Sequence, residues 1–442
     1  MSTVLELEEG RVHHEQLKEK LFPLKKHPLY GDVTSFDKAP YLMPAALADF
    51  TNETDFEDTT NLEICPSCFF NTSGTTNRSK KIPFSDADLA RQRAHEAIAL
   101  SKLGMGDGDG VMSLGAPLPS ISGWAIVNGS EATGARALNT SQLDYDTIFE
   151  KAWGNDVTFV IGTPLVVKEI GRAIEEEFGY LRNVLPNLKT AVIFGDVLPD
   201  ALREELKNLW GFQNVYSLYG TVEADVVATE CTHRQGEMNL MSERLIFEFL
   251  PEGELAKERE DSSYIAQSMP INQVENGSFG EILISDLSRD TLPLIRYRIG
   301  DIIKVHRGTG VHNVTEPTVS VLGRSKNTVM LNGVAIYEMQ LDSALKAVFK
   351  ESLMDWKLVE NNPDSKTRYD LQVLLKNEGS PTGCSSTNCS STDFPRLFDA
   401  LRGQRHELKP VRLEQLIAPR TVKEFARAEV AGDTKAQRIT LL

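Results

Sequence analysis

The stretch Thr72–Lys81, TSGTTNRSKK, sets small hydroxyl residues, one glycine and two lysines behind a short apolar run, Cys68 to Phe70. In such a loop backbone N–H groups converge on anionic oxygens, and Ser and Thr hydroxyls add donors. Gly74 lets the backbone approach a ligand with no Cβ in the way. The composition therefore suits a polyphosphate. It is not the Walker pattern, which places a second glycine directly before Lys-Ser or Lys-Thr. A Ser/Thr-rich surface turn is the plainer reading of the loop taken alone.

Outward from the loop, the chain alternates strands and helices. Asp86–Lys102, DADLARQRAHEAIALSK, reads as an amphipathic helix with Asp86 or Ser85 at its N-cap. GMGDGDGVMSLG is a glycine-rich turn entering a strand. Strands are expected at 158–161, 190–194 and 215–218, and helices at 165–178 and 200–210. That rhythm indicates an α/β domain with a largely parallel sheet. Past Glu243, RLIFEFLPEG, GEILISDL and DIIKVHR carry the alternation of antiparallel strands. Beyond Gly323 a smaller α+β unit is expected, with a strand–turn–helix in GVAIYEMQLDSALKAVFK and a strand in YDLQVLLK. Gly379–Asp393, rich in Ser, Thr and Gly, reads as a flexible surface loop, followed by a helix near 394–403. Upstream, residues 1 to about 60 look like a polar, helical lead-in.

At 442 residues the chain has room for more than one domain, and 41% apolar with 25% charged residues is ordinary for a globular protein. A formal net charge of −16 argues against a nucleic-acid or anionic-membrane partner, since both want a basic face. The N-terminus is charged and lacks the apolar core of a signal peptide, and no apolar run is long enough to span a membrane. A cytoplasmic enzyme or binding protein is the expectation. Five cysteines are too few for a disulfide scaffold at this length.

Four further segments follow the loop in order: YGTVEAD (Tyr219–Asp225), RYRIGD (Arg296–Asp301), VLGRSKN (Val321–Asn327) and GDTKAQR (Gly432–Arg438). Together with FGDVLPDALREEL and GRSKNTVMLNGVAIYEMQL, this ordered set resembles the adenylate-forming superfamily of acyl-CoA synthetases and adenylation domains. The phenylacetate-CoA ligase branch is the nearest resemblance, over about 380 residues from near Cys68 to the C-terminus. The resemblance implies a large N-terminal α/β domain with mixed sheets, residues 1–325, and a small mobile α+β domain, residues 326–442.

It also implies roles. Ser73, Gly74, Thr75, Thr76 and Lys80 match the cradle of the β- and γ-phosphates, and Gly195 and Asp196 fall among the nucleotide-binding positions. Tyr219 and Gly220 would border the adenine and the acyl pocket, Thr221 would lie beside the α-phosphate, and Glu223 matches the acid that holds magnesium. Asp301 matches the acceptor of both ribose hydroxyls, and Arg324 a second ribose or phosphate contact. Lys435 matches the adenylation lysine of the mobile domain. Lys326 takes the hinge position, and Asn332, Gly333 and Val334 the loop that would meet an incoming thiol. Two departures stand out. The family loop usually continues Gly-x-Pro-Lys, where this chain has Asn77, Arg78 and Ser79 before Lys80. The tail has Asp433-Thr434-Lys435 where Gly-Lys is common. Singly, Glu223, Asp301 and Lys435 would pass for solvated surface charges.

The resemblance implies ATP- and Mg²⁺-dependent activation of a carboxylic acid, expected to be aromatic, to an acyl adenylate that CoA then intercepts. The alternatives are transfer to a carrier-protein thiol or an amine, and activation of nitrite as in diazo-forming members. The acid's pocket would lie between Leu114–Trp124 and Phe194–Val197, with Trp124 and Phe194 lining it, although core packing is the commoner role for each. Finally, Cys65 and Cys68 precede the loop while Cys231 and His233 follow YGTVE. If those strands are neighbours, the set makes a Cys₃His zinc tetrahedron. If not, it is buried thiols and an unrelated histidine.

Overall fold

The computed structural model describes residues 29–30, 36–54, 66–72, 79–139, 156–179, 183, 185–308, 317–331, 334–350, 353–361, 368–376, 384–387, 393–407, 416–417 and 439–440. Ser73, Gly74, Thr75, Thr76, Cys65, Asn332, Gly333 and Lys435 lie outside these residues.

The chain starts with α1 (Pro44–Glu53), the hairpin strands β1 (Cys68–Asn71) and β2 (Lys81–Phe84), and α2 (Asp86–Lys102). Ser85 caps α2 through a full capping box. Its hydroxyl accepts from the Asp88 N–H at 3.1 Å, while the Asp88 carboxylate accepts from the Ser85 N–H at 3.1 Å. Next come β3 (Gly110–Leu114), α3 (Ser122–Ala132), β4 (Arg136–Asn139), β5 (Phe159–Gly162), α4 (Pro164–Phe178), β6 (Thr190–Phe194), α5 (Asp200–Trp210) and β7 (Asn214–Thr221). The antiparallel half holds β8 (Asp225–Cys231), β9 (Arg234–Leu240), β10 (Ile246–Pro251), α6 (Glu252–Glu260), β11 (Met269–Pro270), β12 (Phe279–Asp286), β13 (Leu294–His306) and β14 (Thr318–Arg324).

These strands form one mixed sheet of 12, ordered β11-β10-β12-β13-β14-β9-β8-β7-β6-β5-β3-β4, with β1 and β2 as a separate ribbon. β3 through β7 pair in parallel, and the runs of β3, β5 and β6 are buried nearly end to end, as strands covered on both faces must be. The fold is thus mixed α/β around a large sheet. Helices α3 and α6 are among the elements not expected from the sequence; α6 follows PEG, which resembles a turn after a strand, and buries only Leu255.

One close approach shows how tightly α4 packs. A Cβ on Gly171 would stand 2.3 Å from Trp210 Nε1, whose indole is fully buried and donates to the Val167 carbonyl at 3.0 Å. Gly171→Ala gains about 1 kcal/mol of helix propensity but overpacks the core by about 1–3 kcal/mol. A lower denaturation midpoint is therefore expected in urea titration.

The chain divides into a larger compact unit, Met1–Asp196 with Leu206–Ile299 and Ile303–Ser320, and a smaller one, Val197–Glu205 with Gly300–Ile302 and Val321–Leu442. In the smaller unit β15 (Val329–Leu331) and β16 (Val334–Ile336) pair, and α7 (Glu338–Phe349) follows. Then come β17 (Leu353–Asn361), β18 (Arg368–Lys376), β19 (Cys384–Thr387), α8 (Asp393–Gln404), β20 (Leu416–Ile417) and β21 (Ile439–Thr440). Its core gathers Val329, Ile336, Leu345, Trp356, Leu371 and Leu401, and the Trp356 indole donates to Asp342 at 2.7 Å. Strand β19 falls inside the Ser/Thr-rich stretch expected to be loop. Pairing with β18 overrides its composition, since backbone ladders do not require apolar side chains.

Candidate active site

The residues on either side of the hydroxyl-rich loop form a closed stem. The Thr72 N–H donates to the Lys80 carbonyl at 3.0 Å, the Lys80 N–H donates to Thr72 Oγ1 at 3.0 Å, and Ser79 Oγ donates to the Thr72 carbonyl at 2.7 Å. Asn52 of α1 braces the outer side through the Ser79 carbonyl and the Lys81 N–H. Lys80 thus leaves the stem beside β2, and its position is set by the hairpin.

From there the Lys80 ammonium reaches Glu223 Oε1 at 2.7 Å, and the Tyr297 hydroxyl donates to the same oxygen at 3.2 Å. Lys80 and Glu223 are 8% and 5% exposed, so neither is a solvated surface charge. Burial pulls the Glu223 carboxyl toward protonation, but the Lys80 charge and the hydrogen bonds from Lys80, its own backbone and Tyr297 outweigh it. The pKa lies below the usual carboxylate value, so the group is an anion at neutral pH.

Glu223 sits in the turn between β7 and β8, and the YGTVEAD sequence explains its shape. Thr221 Oγ1 accepts from the Ala224 N–H at 3.0 Å and closes the turn. A Cβ on Gly220 would stand 2.7 Å from the Asp225 carbonyl, so the strands approach this closely only with glycine there. Asp225 takes a left-handed φ of 57°, which Asp tolerates better than most residues. Its carboxylate pairs with the Arg244 guanidinium, which also pairs with Asp286, reaches His95 Nδ1 at 3.1 Å and donates to Ser288 Oγ at 3.2 Å.

Beside this cluster, burial and then the Asp225 charge push the Glu96 carboxyl up to about 8. An acid with a raised folded pKa binds its proton more tightly when folded, so its contribution is lost as pH rises from about 4.3 toward that value. Glu96→Gln removes that loss. Its urea midpoint should exceed wild type above pH 8, with the gap closing toward pH 5.

A second arginine completes the surroundings. Arg289, from the segment between β12 and β13, donates to the Glu223 carbonyl at 2.9 Å and to the Pro83 carbonyl at 2.6 Å, with its guanidinium 3.9 Å from the Phe84 ring centre. Thr291 Oγ1 donates to the same Pro83 carbonyl at 2.8 Å and to Asp88 at 2.6 Å.

Other expected positions fall as follows. In the smaller unit, the buried Asp301 carboxylate pairs with Arg324 Nε at 2.9 Å. Lys326 lies in the short turn Ser325–Asn327, where burial and then the Arg324 charge lower its pKa. Gly195, at a φ of 85°, and Asp196 follow β6. Tyr219 and Gly220 end β7, at a register shift opposite β8. Phe194 packs against the core cluster that includes Val111, Ile161 and Leu218. Trp124 of α3 stands 6.4 Å from Phe70, ring centre to ring centre.

The arginines of RYRIGD are engaged elsewhere. Arg296 pairs with Glu248 at 3.2 Å, and Arg298 pairs with both Glu281 and Glu258. Cys68, Cys231 and His233 do not converge: among the described residues no three His, Cys, Asp or Glu side chains could hold a metal ion. The zinc reading needed β1 beside β8, but β1 pairs with β2 in the separate ribbon.

The sequence profile described as AMP-binding enzyme matches residues 15–244, more than half of the chain. The chain belongs to the AMP-binding enzyme family. Among curated proteins, this AMP-binding enzyme is similar to a phenylacetate-coenzyme A ligase of Pseudomonas putida, 22% identical over 290 residues, 64% of this chain and 60% of that one. The match thus spans about 60% of the curated relative's length.

Among solved structures, a 2-hydroxyisobutyryl-CoA ligase in complex with 2-HIB-AMP, in the postadenylation state, covers 99% of this chain and 84% of its own. It has a TM-score of 0.65 and 16% identity. An anthranilate CoA ligase in complex with anthranoyl-AMP has a TM-score of 0.54 and 14% identity, covering 79% of this chain and 63% of its own. These two likenesses establish the shared adenylate-forming fold. No helix among the described residues is long and apolar enough to cross a membrane.

Proposed function

We propose that this enzyme uses ATP to convert a small carboxylic acid into an acyl adenylate and then passes the acyl group to CoA. The observation that carries the reading is the buried Lys80–Glu223–Tyr297 cluster at the foot of the hydroxyl-rich loop. In the first step a carboxylate oxygen of the acid attacks the α-phosphorus, the bond to the bridging oxygen breaks, and pyrophosphate leaves. In the second a thiolate attacks the acyl carbonyl and AMP departs.

Ser73, Gly74, Thr75, Thr76 and Lys80 are assigned to the β- and γ-phosphates, and Thr221 to the neighbourhood of the α-phosphate. Gly195, Asp196, Tyr219 and Gly220 are assigned to the nucleotide. Glu223 suits a hard dication, because its carboxylate is held ionised and oxygen is the donor Mg²⁺ prefers. With ATP it would hold Mg²⁺, which neutralises charge on the phosphate oxygens. Asp301 and Arg324 are assigned to the ribose side, and Lys435 to the developing charge at the α-phosphate. The division between 1–325 and 326–442, pivoting at Lys326, is supported by the long Val321–Leu442 segment of the smaller unit, which also takes in Val197–Glu205 and Gly300–Ile302. An aromatic acid is favoured by the phenylacetate- and anthranilate-ligase relatives, with Trp124 and Phe194 as the wall. The fold and the acidic chain fit a cytoplasmic setting with no nucleic-acid or membrane partner.

The test is pyrophosphate release with ATP and Mg²⁺ across aryl and alkyl acids, with nitrite included, each with and without CoA. Acid-dependent release that yields an acyl-CoA mass is the expected result. Release without acyl-CoA would move the acceptor to a carrier thiol or an amine, and nitrite-dependent release to diazo chemistry. No release from folded protein would sink the adenylation reading.

A further inference from the structure

We propose that Arg289 is a positioning residue that sets the separation between Lys80 and Glu223. This rests on the function proposed above. Arg289 belongs to neither element that carries the cluster, yet one guanidinium ties both. One nitrogen holds the carbonyl of Glu223 itself, and another holds that of Pro83, in the strand that begins directly after Lys80.

Stability alone is a poor reason for such a residue. Taking a guanidinium out of water costs several kcal/mol, and an apolar side chain of similar volume usually serves packing as well. Arg289 is 3% exposed, its guanidinium donates to two carbonyls, its Nε has no hydrogen-bond partner among the described residues, and the carboxylates of Asp225, Asp88 and Asp286 act on it through charge alone. What an apolar side chain cannot do is hold two carbonyls from distant segments with one rigid fork.

The segment bearing Arg289 is moored on both sides. Asp88 accepts from the N–H groups of Asp290 and Thr291. Asp286 accepts from the N–H and hydroxyl of Ser288, and Arg244 ties Ser288 and Asp286 back to Asp225 in the Glu223 turn. The clasp is therefore fixed before any ligand arrives.

The control is Thr291→Val, which removes another donor to the same Pro83 carbonyl without touching Glu223. Arg289→Met, Arg289→Lys and Thr291→Val would be compared by thermal melting, equilibrium binding of MgATP, and acid-dependent pyrophosphate release. Both Arg289 variants should weaken MgATP binding about tenfold and lower kcat about 10²-fold, the scale of a ~1 Å misplacement, with the KM of the acid unchanged. Lysine should not rescue, because one ammonium cannot span both carbonyls. Thr291→Val should lose melting temperature and keep wild-type binding and kcat.

Arg289 variants that fold and behave as Thr291→Val would overturn the proposal, as would failure of both to fold, which marks a purely structural residue. If wild type binds MgATP but turns over no acid, the adenylation reading fails separately. The positioning role is then judged on nucleotide binding.

Discussion

Glu223→Gln is expected to lower acid-dependent pyrophosphate release by about 10²–10³-fold, the range seen when one electrostatic stabiliser is removed from a preorganised site. The substitution is nearly isosteric. The amide oxygen still accepts from Tyr297 and Lys80, now at 3.2 and 2.7 Å from Oε1, so the turn has no steric reason to move. What disappears is the negative charge that the site maintains against burial. Truncation to alanine would confuse the result, because breaking a buried pair costs about 3–5 kcal/mol through the charge left behind. The measurement is steady-state pyrophosphate release at varied Mg²⁺. Activity within tenfold of wild type at every Mg²⁺ concentration would remove Glu223 from the chemistry.

Asp88→Ala should be the most damaging substitution for stability away from that cluster, by about 3 kcal/mol. The capping box alone is worth about 1 kcal/mol, and hydrogen bonds to a charged acceptor about 1.5–3 kcal/mol. Asp88 supplies both, since its carboxylate also accepts from Thr291 Oγ1, the Asp290 N–H and Arg91. Burial pushes its pKa up, but the Thr291 hydrogen bond, the Arg289 charge and the Ser85 and Asp290 N–H groups prevail and hold it well below the usual range. With a depressed folded pKa, the stabilisation is complete above the unfolded value of about 3.9 and is lost as pH falls through the folded one. The difference in denaturation midpoint between wild type and Asp88→Ala should therefore narrow in acid. An equal gap at pH 7 and pH 3 would show that the carboxylate charge is not the source.

Much of this was legible in the residues. Helix α2 ends where DADLARQRAHEAIALSK does, and β6 and α5 match their apolar patterns, because burial on one stripe or two faces writes directly into hydrophobic spacing. The acid singled out in YGTVEAD, Glu223, sits in the turn between β7 and β8, a turn not expected from the sequence. Arg289, Arg244 and Asp88 were not foreseen as a group. Their partners lie far away in sequence and include backbone carbonyls, and a carbonyl acceptor leaves no residue type to notice. Arg296 and Arg298 carried no expected role, and their partners Glu248, Glu281 and Glu258 lie outside the RYRIGD motif, where the motif alone does not point to them. The zinc reading failed on topology, which spacing within each Cys/His pair does not encode.

The cross-braced base beneath residues 73–78 separates inheritance from innovation. Since Thr72 and Lys80 close on each other, the tip between them can be rewritten residue by residue while the lysine is still delivered to the same strand. With Asn77-Arg78-Ser79 where a proline-bearing version is usual, this chain differs at two residues of the tip and, through Ser79, at one residue of the mount, whose hydroxyl holds the Thr72 carbonyl. On the proposed assignment of residues 73–76 to the phosphates, substitutions in this tip would trade nucleotide grip against turnover without moving the base that carries Lys80.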